Sequence, residues 1–193
     1  MTTIKEKSVN GVNLAALHDT IKTIRTRPEL GASTFRLSNQ WIDQALNRST
    51  VGDFFVAGEE RKHKRTFVFE NDEGEVLLGK DEGANPVEFI LHALAGCIIT
   101  TTVYHAAAHG INIKKLETTL EGDLDLRGLL AISSEVPSGY QDIRVSLKIE
   151  SDASGEKLEK LKGFYKLSPV LGTLTRPAKI DVAVIHEPSA ETC

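Results

Sequence analysis

The feature that most constrains the fold is a long apolar segment in the middle of the chain, which opens with explicit helix-start chemistry. Asn85 can serve as the N-cap, Pro86 suits the first helical position, and Glu88 lies where its carboxylate can reach back to the cap amide. We predict a helix that runs to about His109 and is ended by Gly110. Because this helix is apolar on nearly every face, other elements must enclose it, which favours a dimer whose sheets wrap it.

Alternating apolar and polar residues on both sides of this helix predict strands, and therefore an α+β fold. The predicted strands cover about 33–41, 48–57, 65–70, 113–126, 140–149 and 178–185, and a turn at 71–74 follows the third. Amphipathic periodicity predicts two shorter helices, over about 10–27 and 154–165, and Pro28 stops the first. The second carries Leu158, Leu161 and Tyr165 on its buried side. Ser168 and Pro169 resemble the N-cap and first position of a further helix.

Length and charge limit the classes of partner. The 193 residues, 40% of them hydrophobic, suit one globular domain or one protomer of an assembly that shares its core. The net charge of -4 and the lack of a long Lys/Arg-rich run argue against nucleic acid or an anionic membrane as a partner. The basic cluster at 61–65 is interpreted as a solvated loop or strand edge.

The sequence also predicts the compartment. No apolar leader pattern is seen near the N-terminus, and no apolar stretch is expected to reach the roughly 18 residues that a membrane span needs. The two cysteines, Cys97 and Cys193, make a poor disulfide framework, which fits a reducing compartment. We therefore expect a soluble, cytoplasmic protein with no membrane partner.

Cys97 lies in the middle of the long predicted helix and allows two interpretations. The residues that share its helical face are mainly apolar, with two hydroxyls: Ile90, Ala93, Leu94, Thr101 and Tyr104. Burial among such neighbours disfavours a thiolate, so a reactive Cys97 needs a cation from another segment. Without that cation, Cys97 is an inert core residue.

Three histidines in the same helix are weaker candidates. His105 and His109 are four residues apart, a spacing that could place both rings on one metal ion, but no third ligand is spaced to join them. The charge preference of a helix C-terminus is the commoner reason for histidines there. His92 points about 140° away from Cys97 on a regular helix, which disfavours a direct Cys/His pair. We predict no metal site and no cofactor.

Three motifs together resemble the OsmC/Ohr family. They are the run Gly83-Ala-Asn-Pro-Val-Glu-Phe-Ile-Leu-His-Ala-Leu-Ala-Gly-Cys97, the later Ser168-Pro-Val170, and the closing Ile180-Asp-Val-Ala-Val184. The resemblance covers roughly residues 33–187 in the same order of elements. It implies an α+β fold in which long central helices are wrapped by antiparallel sheets in an intertwined homodimer. The predicted division is a helical extension at 1–32, an OsmC-like domain at 33–187 and a mobile tail at 188–193.

The resemblance also implies a site at the subunit interface. Cys97 matches the family's peroxidatic cysteine, and an arginine from the N-terminal sheet holds that cysteine as a thiolate; Arg48 and Arg36 are the available candidates. The family's peroxidases carry a glutamate ten residues before the cysteine. This chain has valine there and Glu88 one position later, with helix capping as the alternative role. Ser168 occupies the position of the resolving cysteine, and a hydroxyl cannot form a disulfide.

These inferences lead to a functional prediction with one alternative. The preferred function is a one-cysteine thiol peroxidase that reduces organic hydroperoxides in oxidative-stress defence. Its partners are a second copy of the chain, a small hydrophobic peroxide, and an external thiol reductant or Cys193. The alternative is a non-catalytic module that binds a small hydrophobic or thiol-bearing ligand at the dimer interface, with Cys97 only lining the pocket.

Overall fold

The computed structural model describes residues 8–186, so the predicted tail at 188–193 and Cys193 lie outside the described residues. The strands are β1 (Ser8–Val9), β2 (Val12–Asn13), β3 (Ser33–Thr34), β4 (Leu37–Asp43), β5 (Leu46–Val51), β6 (Phe54–Val56), β7 (Glu59–Arg61), β8 (Val68–Asn71), β9 (Ile113–Asp123) and β10 (Asp142–Ser151). The helices are α1 (Leu14–Thr26), α2 (Pro86–Ala108), α3 (Leu126–Leu129), α4 (Gly155–Gly163) and α5 (Pro169–Thr175). Single 3-10 turns cover Pro28–Gly31, Glu75–Leu77 and Phe164–Leu167.

The paired strands of residues 8–186 are antiparallel; they form the short β1–β2 hairpin and two three-stranded sheets before α2, and one two-stranded ribbon after it. The N-terminal sheets have the strand orders β3-β6-β7 and β4-β5-β8, while β9 and β10 make a long two-stranded ribbon. Helix α2 lies between these strands in the chain, and its C-terminal half packs on β9 and on the 3-10 turn that follows α4. The α+β fold class is confirmed.

The first two predicted strands are each broken in two, because the chain passes from one N-terminal sheet to the other. The break lies where the backbone N–H of Gly52 donates to the carbonyl oxygen of Arg36 at 2.9 Å. A Cβ on Gly52 would lie 3.4 Å from the Cβ of Arg36, an ordinary van der Waals contact, so the crossing itself does not require glycine. Strand β7 was not predicted; it forms a hairpin with β6 through Ala57 and Gly58, whose φ angles of 54° and 84° suit a type I′ turn.

The predicted closing strand over 178–185 is wrong for the single chain. The described residues 177–186 have no regular secondary structure, because no strand within residues 8–186 pairs with them. The alternating apolar side chains Ile180, Val182 and Val184 are 81%, 81% and 90% exposed. This segment therefore has the pattern of a strand without a sheet to join.

Helix α2 begins and ends as predicted. The side chain of Asn85 accepts from the N–H of Val87 at 3.0 Å, and the N–H of Asn85 donates to the Glu88 carboxylate at 2.9 Å, which completes a capping box. At the other end, Gly110 has φ +65°, and the N–H of Ile111 donates to the Ala106 carbonyl at 2.9 Å. Local chemistry thus sets both ends of the helix.

The single chain buries only one stripe of α2, contrary to the expected enclosure on all sides. The stripe consists of Leu94, Ile98, Thr102, Ala106 and Ala107, while the opposite face is open. Only 17% of the most apolar 18-residue window is buried. The prediction that no apolar stretch is long enough to span a membrane is also wrong, since α2 is long and apolar enough by length and composition. One such helix is weak evidence of a span, because core helices of soluble proteins have the same composition.

The hydrophobic core lies at the C-terminal end of α2. Ala106, Ile111, Leu161 and Phe164 form a buried cluster, and Ile113 and Ile149 of the β9–β10 ribbon pack against it. The amphipathic pattern over 154–165 predicted the buried position of Leu161. It did not predict that Phe164, rather than the half-buried Tyr165, would join the cluster.

Candidate functional site

Cys97 lies in the middle of α2 on the boundary of its open face. The side chain is half-buried, while Ala93, Gly96 and Thr100 beside it are exposed and Tyr104 is 51% exposed. Within residues 8–186, the thiol forms no hydrogen bond with any side chain or backbone group. Small residues therefore surround the thiol on a face that the single chain does not cover.

Ser168 begins α5 as predicted. Its hydroxyl accepts from the N–H of Leu171 at 3.3 Å, Pro169 follows as the first helical residue, and Ser168 itself is only 2% exposed. The Ser168 hydroxyl is therefore used as an N-cap. The short helix it starts packs against the N-terminal half of α2.

A cavity of about 310 Å³ lies between α5 and α2 and extends along the face of α2 that carries Cys97. It is lined by Phe89, Ile90, Ala93, Val170, Thr173 and Leu174. Ile90 and Ala93 are seven and four residues before Cys97, and thus on its side of the helix. The structure brings the segment 168–170 next to the helical face that carries the thiol, and the space between them is apolar.

The two candidate arginines are held by glutamates in the N-terminal sheets. Arg48 of β5 donates to the Glu70 carboxylate of β8 through Nε at 2.9 Å and Nη2 at 2.6 Å. Arg36 makes a two-point contact with Glu60 of β7 at 2.8 and 2.9 Å, and this hydrogen-bonded carboxylate raises the pKa of the guanidinium. In the described part of the chain, neither arginine contacts Cys97.

Arg48 belongs to the sheet that touches α2. Arg48 pairs across the strands with Glu70 of β8. The residue before Glu70 is Phe69, whose ring contacts the ring of Phe89 on α2 edge-on, with 6.0 Å between the ring centroids. Arg36 lies instead at the crossing between the two sheets, and its partner Glu60 is in the other sheet. Successive side chains of a strand point to opposite faces, so Phe69 faces α2 while Glu70 and its partner Arg48 lie on the face of the sheet that points away from α2 of the same chain.

Glu88 is fixed at the start of α2 by its capping hydrogen bond, and its catalytic role stays a prediction. Close by, the hydroxyl of Tyr140 donates to the carbonyl oxygen of Val87 at 3.0 Å. Burial raises the pKa of the Tyr140 phenol, and the negative charge of Glu88 adds to this effect. Tyr140 thus ties the first turn of α2 to the start of β10, a contact that the sequence pattern did not indicate.

Asp72 organises the loop that leads into α2. Its buried carboxylate accepts the backbone N–H groups of Glu73, Lys80 and Glu82 at 2.8, 3.0 and 3.1 Å. These hydrogen bonds, that of Glu82 first, hold the pKa of Asp72 below its usual value. The sequence indicated only a turn here, because the donors lie up to ten residues away.

The two histidines near the end of α2 pack against the hydrophobic core. Both rings pack against Phe164, at centroid distances of 5.5 Å for His105 and 5.0 Å for His109. Burial lowers the pKa of His105, and the neighbouring His109 adds to this. No group of three potential ligands is assembled around a metal position within residues 8–186.

The sequence pattern of one protein family, described as OsmC-like protein, matches residues 79–183, which is more than half of the chain. The chain belongs to the OsmC-like protein family. The matched region contains Cys97 and Ser168, whereas Arg36 and Arg48 precede it. No curated protein is similar enough in sequence to be matched.

Solved structures share the fold of this OsmC-like chain at low sequence identity. An OsmC-like protein from Mycoplasma pneumoniae has 18% identity and a TM-score of 0.56, over 75% of this chain and 89% of its own. A Psychrobacter arcticus protein, described as a putative osmotic stress induced and detoxification response protein, has 12% identity and a TM-score of 0.51, over 74% and 88%. An OsmC-like protein of unknown function from Vibrio cholerae has 11% identity and a TM-score of 0.50, over 74% and 94%. These similarities establish the fold alone.

Proposed function

We propose that this OsmC-like protein is a one-cysteine thiol peroxidase that reduces organic hydroperoxides in oxidative-stress defence. The observation that carries the proposal is the position of Cys97, which lies in the family-matched segment on the uncovered, apolar face of α2. An apolar approach to the thiol favours organic hydroperoxides over hydrogen peroxide. The name of the P. arcticus neighbour, a detoxification response protein, agrees with such a role.

The proposed reaction begins when the Cys97 thiolate attacks the terminal oxygen of the hydroperoxide. The O–O bond breaks, the sulfur becomes a sulfenic acid, and the alkoxide takes up a proton and leaves as an alcohol. One external thiol then forms a mixed disulfide with Cys97 and releases water. A second thiol releases reduced Cys97, so each turnover converts one hydroperoxide and two thiols to one alcohol, one water and one disulfide.

The external thiol is required because Ser168 replaces the resolving cysteine. Its hydroxyl is buried and already caps α5, so it offers neither a sulfur nor an open position for a reductant. A cytoplasmic location suits this cycle, since thiol reductants are abundant in a reducing compartment. Cys193 is the remaining internal thiol of the chain and is a second proposed reductant.

Arg48 is the arginine that we propose as the thiolate partner. A guanidinium within a few ångströms offsets the cost of burying a thiolate, because an opposite charge favours the ionised form. Arg48 stands in the sheet that packs on α2 through Phe69, but on the opposite face of that sheet, so the Cys97 that it is proposed to meet belongs to a second copy of the chain. Arg36 is held by Glu60 of the other sheet. Arg36 is the second choice, and Glu88 is proposed to act only through the start of α2.

The working form is proposed to be a homodimer. The single chain has an accessible surface of 14754 Å², whereas a compact monomer of 21.1 kDa exposes about 9,000 Å². The difference is several times the roughly 800 Å² that each partner buries in a standard interface. The open face of α2 and the unpaired segment 177–186 contribute to this excess. A second copy that covers them would complete the pocket around Cys97.

The alternative function is non-catalytic binding of a small hydrophobic or thiol-bearing ligand. The observation that favours it is the apolar cavity between α5 and α2, which exists without any contribution from the thiol. A ligand in this cavity would contact Ala93, one helical turn before Cys97 on the same side of α2, and the thiol would then only border the pocket.

Steady-state turnover separates these two functions. Purified protein is given an organic hydroperoxide with a monothiol or a dithiol, and hydroperoxide consumption is followed beside a Cys97→Ser variant. We expect consumption by the wild type alone, faster with an aryl or alkyl hydroperoxide than with hydrogen peroxide. Equal rates for the wild type and the Cys97→Ser variant would eliminate the peroxidase and leave the binding function.

A further inference from the structure

We propose that Leu174 of α5 is a specificity-determining residue, which limits the substrate to hydroperoxides with a compact hydrocarbon group. The inference rests on the proposed peroxidase function and narrows the substrate class of the Cys97 site. It follows from the position of the Leu174 side chain between two neighbouring cavities.

The first cavity is the space of about 310 Å³ between α5 and α2. On α2 its lining extends to Ala93, four residues before Cys97, which corresponds to about 6 Å along the helix axis. A hydroperoxide whose terminal oxygen meets the Cys97 thiolate can therefore place the rest of the molecule in this cavity.

The lining of this cavity is apolar and offers no free side-chain donor. Its only polar member is Thr173, whose hydroxyl donates to the Pro169 carbonyl oxygen at 3.0 Å. A polar group of the substrate would lose its hydrogen bonds to water here without gaining a side-chain donor in return. The part of the substrate that enters the cavity should therefore be a plain hydrocarbon group.

Leu174 forms a wall that this cavity shares with a second one. The second cavity, of about 290 Å³, is also lined by Leu174 and continues past Leu94, Ile143 and Leu171. Gln141 and Asp142 line it as well, so a hydrocarbon chain would gain contacts only with its apolar members. Leu174 is 39% exposed, so its truncation to alanine removes the shared wall at little cost in packing.

The position of this wall selects the shape of the substrate. Small-molecule sites usually measure about 300–1,000 Å³, and the first cavity lies at the low end of that range. With Leu174 in place, a branched alkyl or aryl-alkyl group fits, whereas a long linear chain meets the leucine side chain. Without it, the end of a linear chain can enter the second cavity.

The test is the selectivity of the full chain between cumene hydroperoxide and n-octyl hydroperoxide, measured as the ratio of their kcat/KM values with dithiothreitol as the thiol. The wild type should favour cumene hydroperoxide. Leu174→Ala should shift the ratio toward n-octyl hydroperoxide by about tenfold or more, because one methylene group in an apolar pocket changes selectivity by roughly that factor. Leu167→Ala is the matched control: Leu167 is 56% exposed in the 3-10 turn before α5, lines neither cavity and should leave the ratio unchanged.

The product alcohols provide a second arm that needs no turnover. Calorimetric titrations with 2-phenyl-2-propanol and 1-octanol should show the same change of preference in Leu174→Ala. A wild type that favours the linear hydroperoxide, an unchanged ratio in a Leu174→Ala protein that folds by circular dichroism, or an equal shift in Leu167→Ala would overturn the inference.

Failure of the proposed function has a different signature. A wild type that reduces neither hydroperoxide would refute the peroxidase, and the alcohol titrations alone would then decide the role of Leu174. Alcohols that bind neither protein, or that bind the wild type and Leu174→Ala with the same preference, would overturn that role.

Discussion

Thr102 is a buried hydroxyl with no hydrogen-bond partner among residues 8–186, and replacing it tests whether the single chain accounts for the packing around α2. The residue has no exposed surface. Helical threonines can bond the carbonyl one turn earlier, but this hydroxyl does not. An unsatisfied buried polar group costs about 1–3 kcal/mol. Because valine has nearly the same shape, Thr102→Val should raise the free energy of unfolding by about that amount.

The assay is thermal and denaturant unfolding at one fixed protein concentration, since subunit association shifts apparent stability. For a chain of this length, each kcal/mol raises Tm by about 2–4 °C. Thr102→Ser is the matched control: it keeps the hydroxyl, loses a buried methyl group and should be destabilised by about 0.8 kcal/mol. A Thr102→Val protein that unfolds more easily than the wild type would refute the reasoning. It would mean that the hydroxyl has a partner outside the single chain, from a second copy or from a ligand.

Three further changes test other parts of the structure. A Cβ added at Gly96 meets no atom of its own chain within 4 Å, so Gly96→Leu should weaken the proposed homodimer in sedimentation by a clash with the second copy. Gly163→Leu, equally open within the chain, should leave the proposed homodimer unchanged, and a Gly96→Leu protein that associates as the wild type does would contradict this placement of the interface. Leu161→Ala, in the core cluster, should lower the free energy of unfolding by about 2–5 kcal/mol in denaturant titrations. Burial lowers the pKa of His105, so as the pH falls the unfolded chain binds a proton at this residue at a higher pH than the folded chain does. The free energy of unfolding should therefore decline as the pH falls below about 6.5, the ordinary pKa of histidine. His105→Gln should flatten this decline, whereas His18→Gln, on the exposed face of α1, should not; equal pH profiles for both variants would contradict the assignment.

The parts of the fold that depend on local chemistry could be predicted from the sequence. The capping box of Asn85 and Glu88 and the left-handed Gly110 set the ends of α2 within a few residues, so the pattern alone was sufficient. The same is true of Ser168 at the start of α5. The break of two strands at Gly52 could not be predicted, because it depends on a crossing with Arg36 sixteen residues earlier.

The candidate site was predictable only in part, because some of its contacts join residues that are far apart in the chain. Cys97 could be identified from the sequence because it ends a motif of consecutive residues, 83–97, within the family-matched segment. Glu70 meets Arg48 through the pairing of β5 with β8, and Glu60 meets Arg36 where the two sheets cross, so both glutamates lie more than twenty residues from their arginines and no local pattern predicts them. The closing segment shows that local pattern alone is not sufficient: its alternation predicted a strand, but a strand needs a paired neighbour, and none is found within residues 8–186.

The most direct test of the central claim is single-turnover oxidation of Cys97. Reduced protein is mixed rapidly with one equivalent of an organic hydroperoxide in the presence of a sulfenic-acid trapping reagent, and the intact mass is read against Cys97→Ser. The account predicts one adduct per chain in the wild type within seconds and none in the variant. No adduct after minutes, with the thiol still free by mass, would contradict a peroxidatic Cys97.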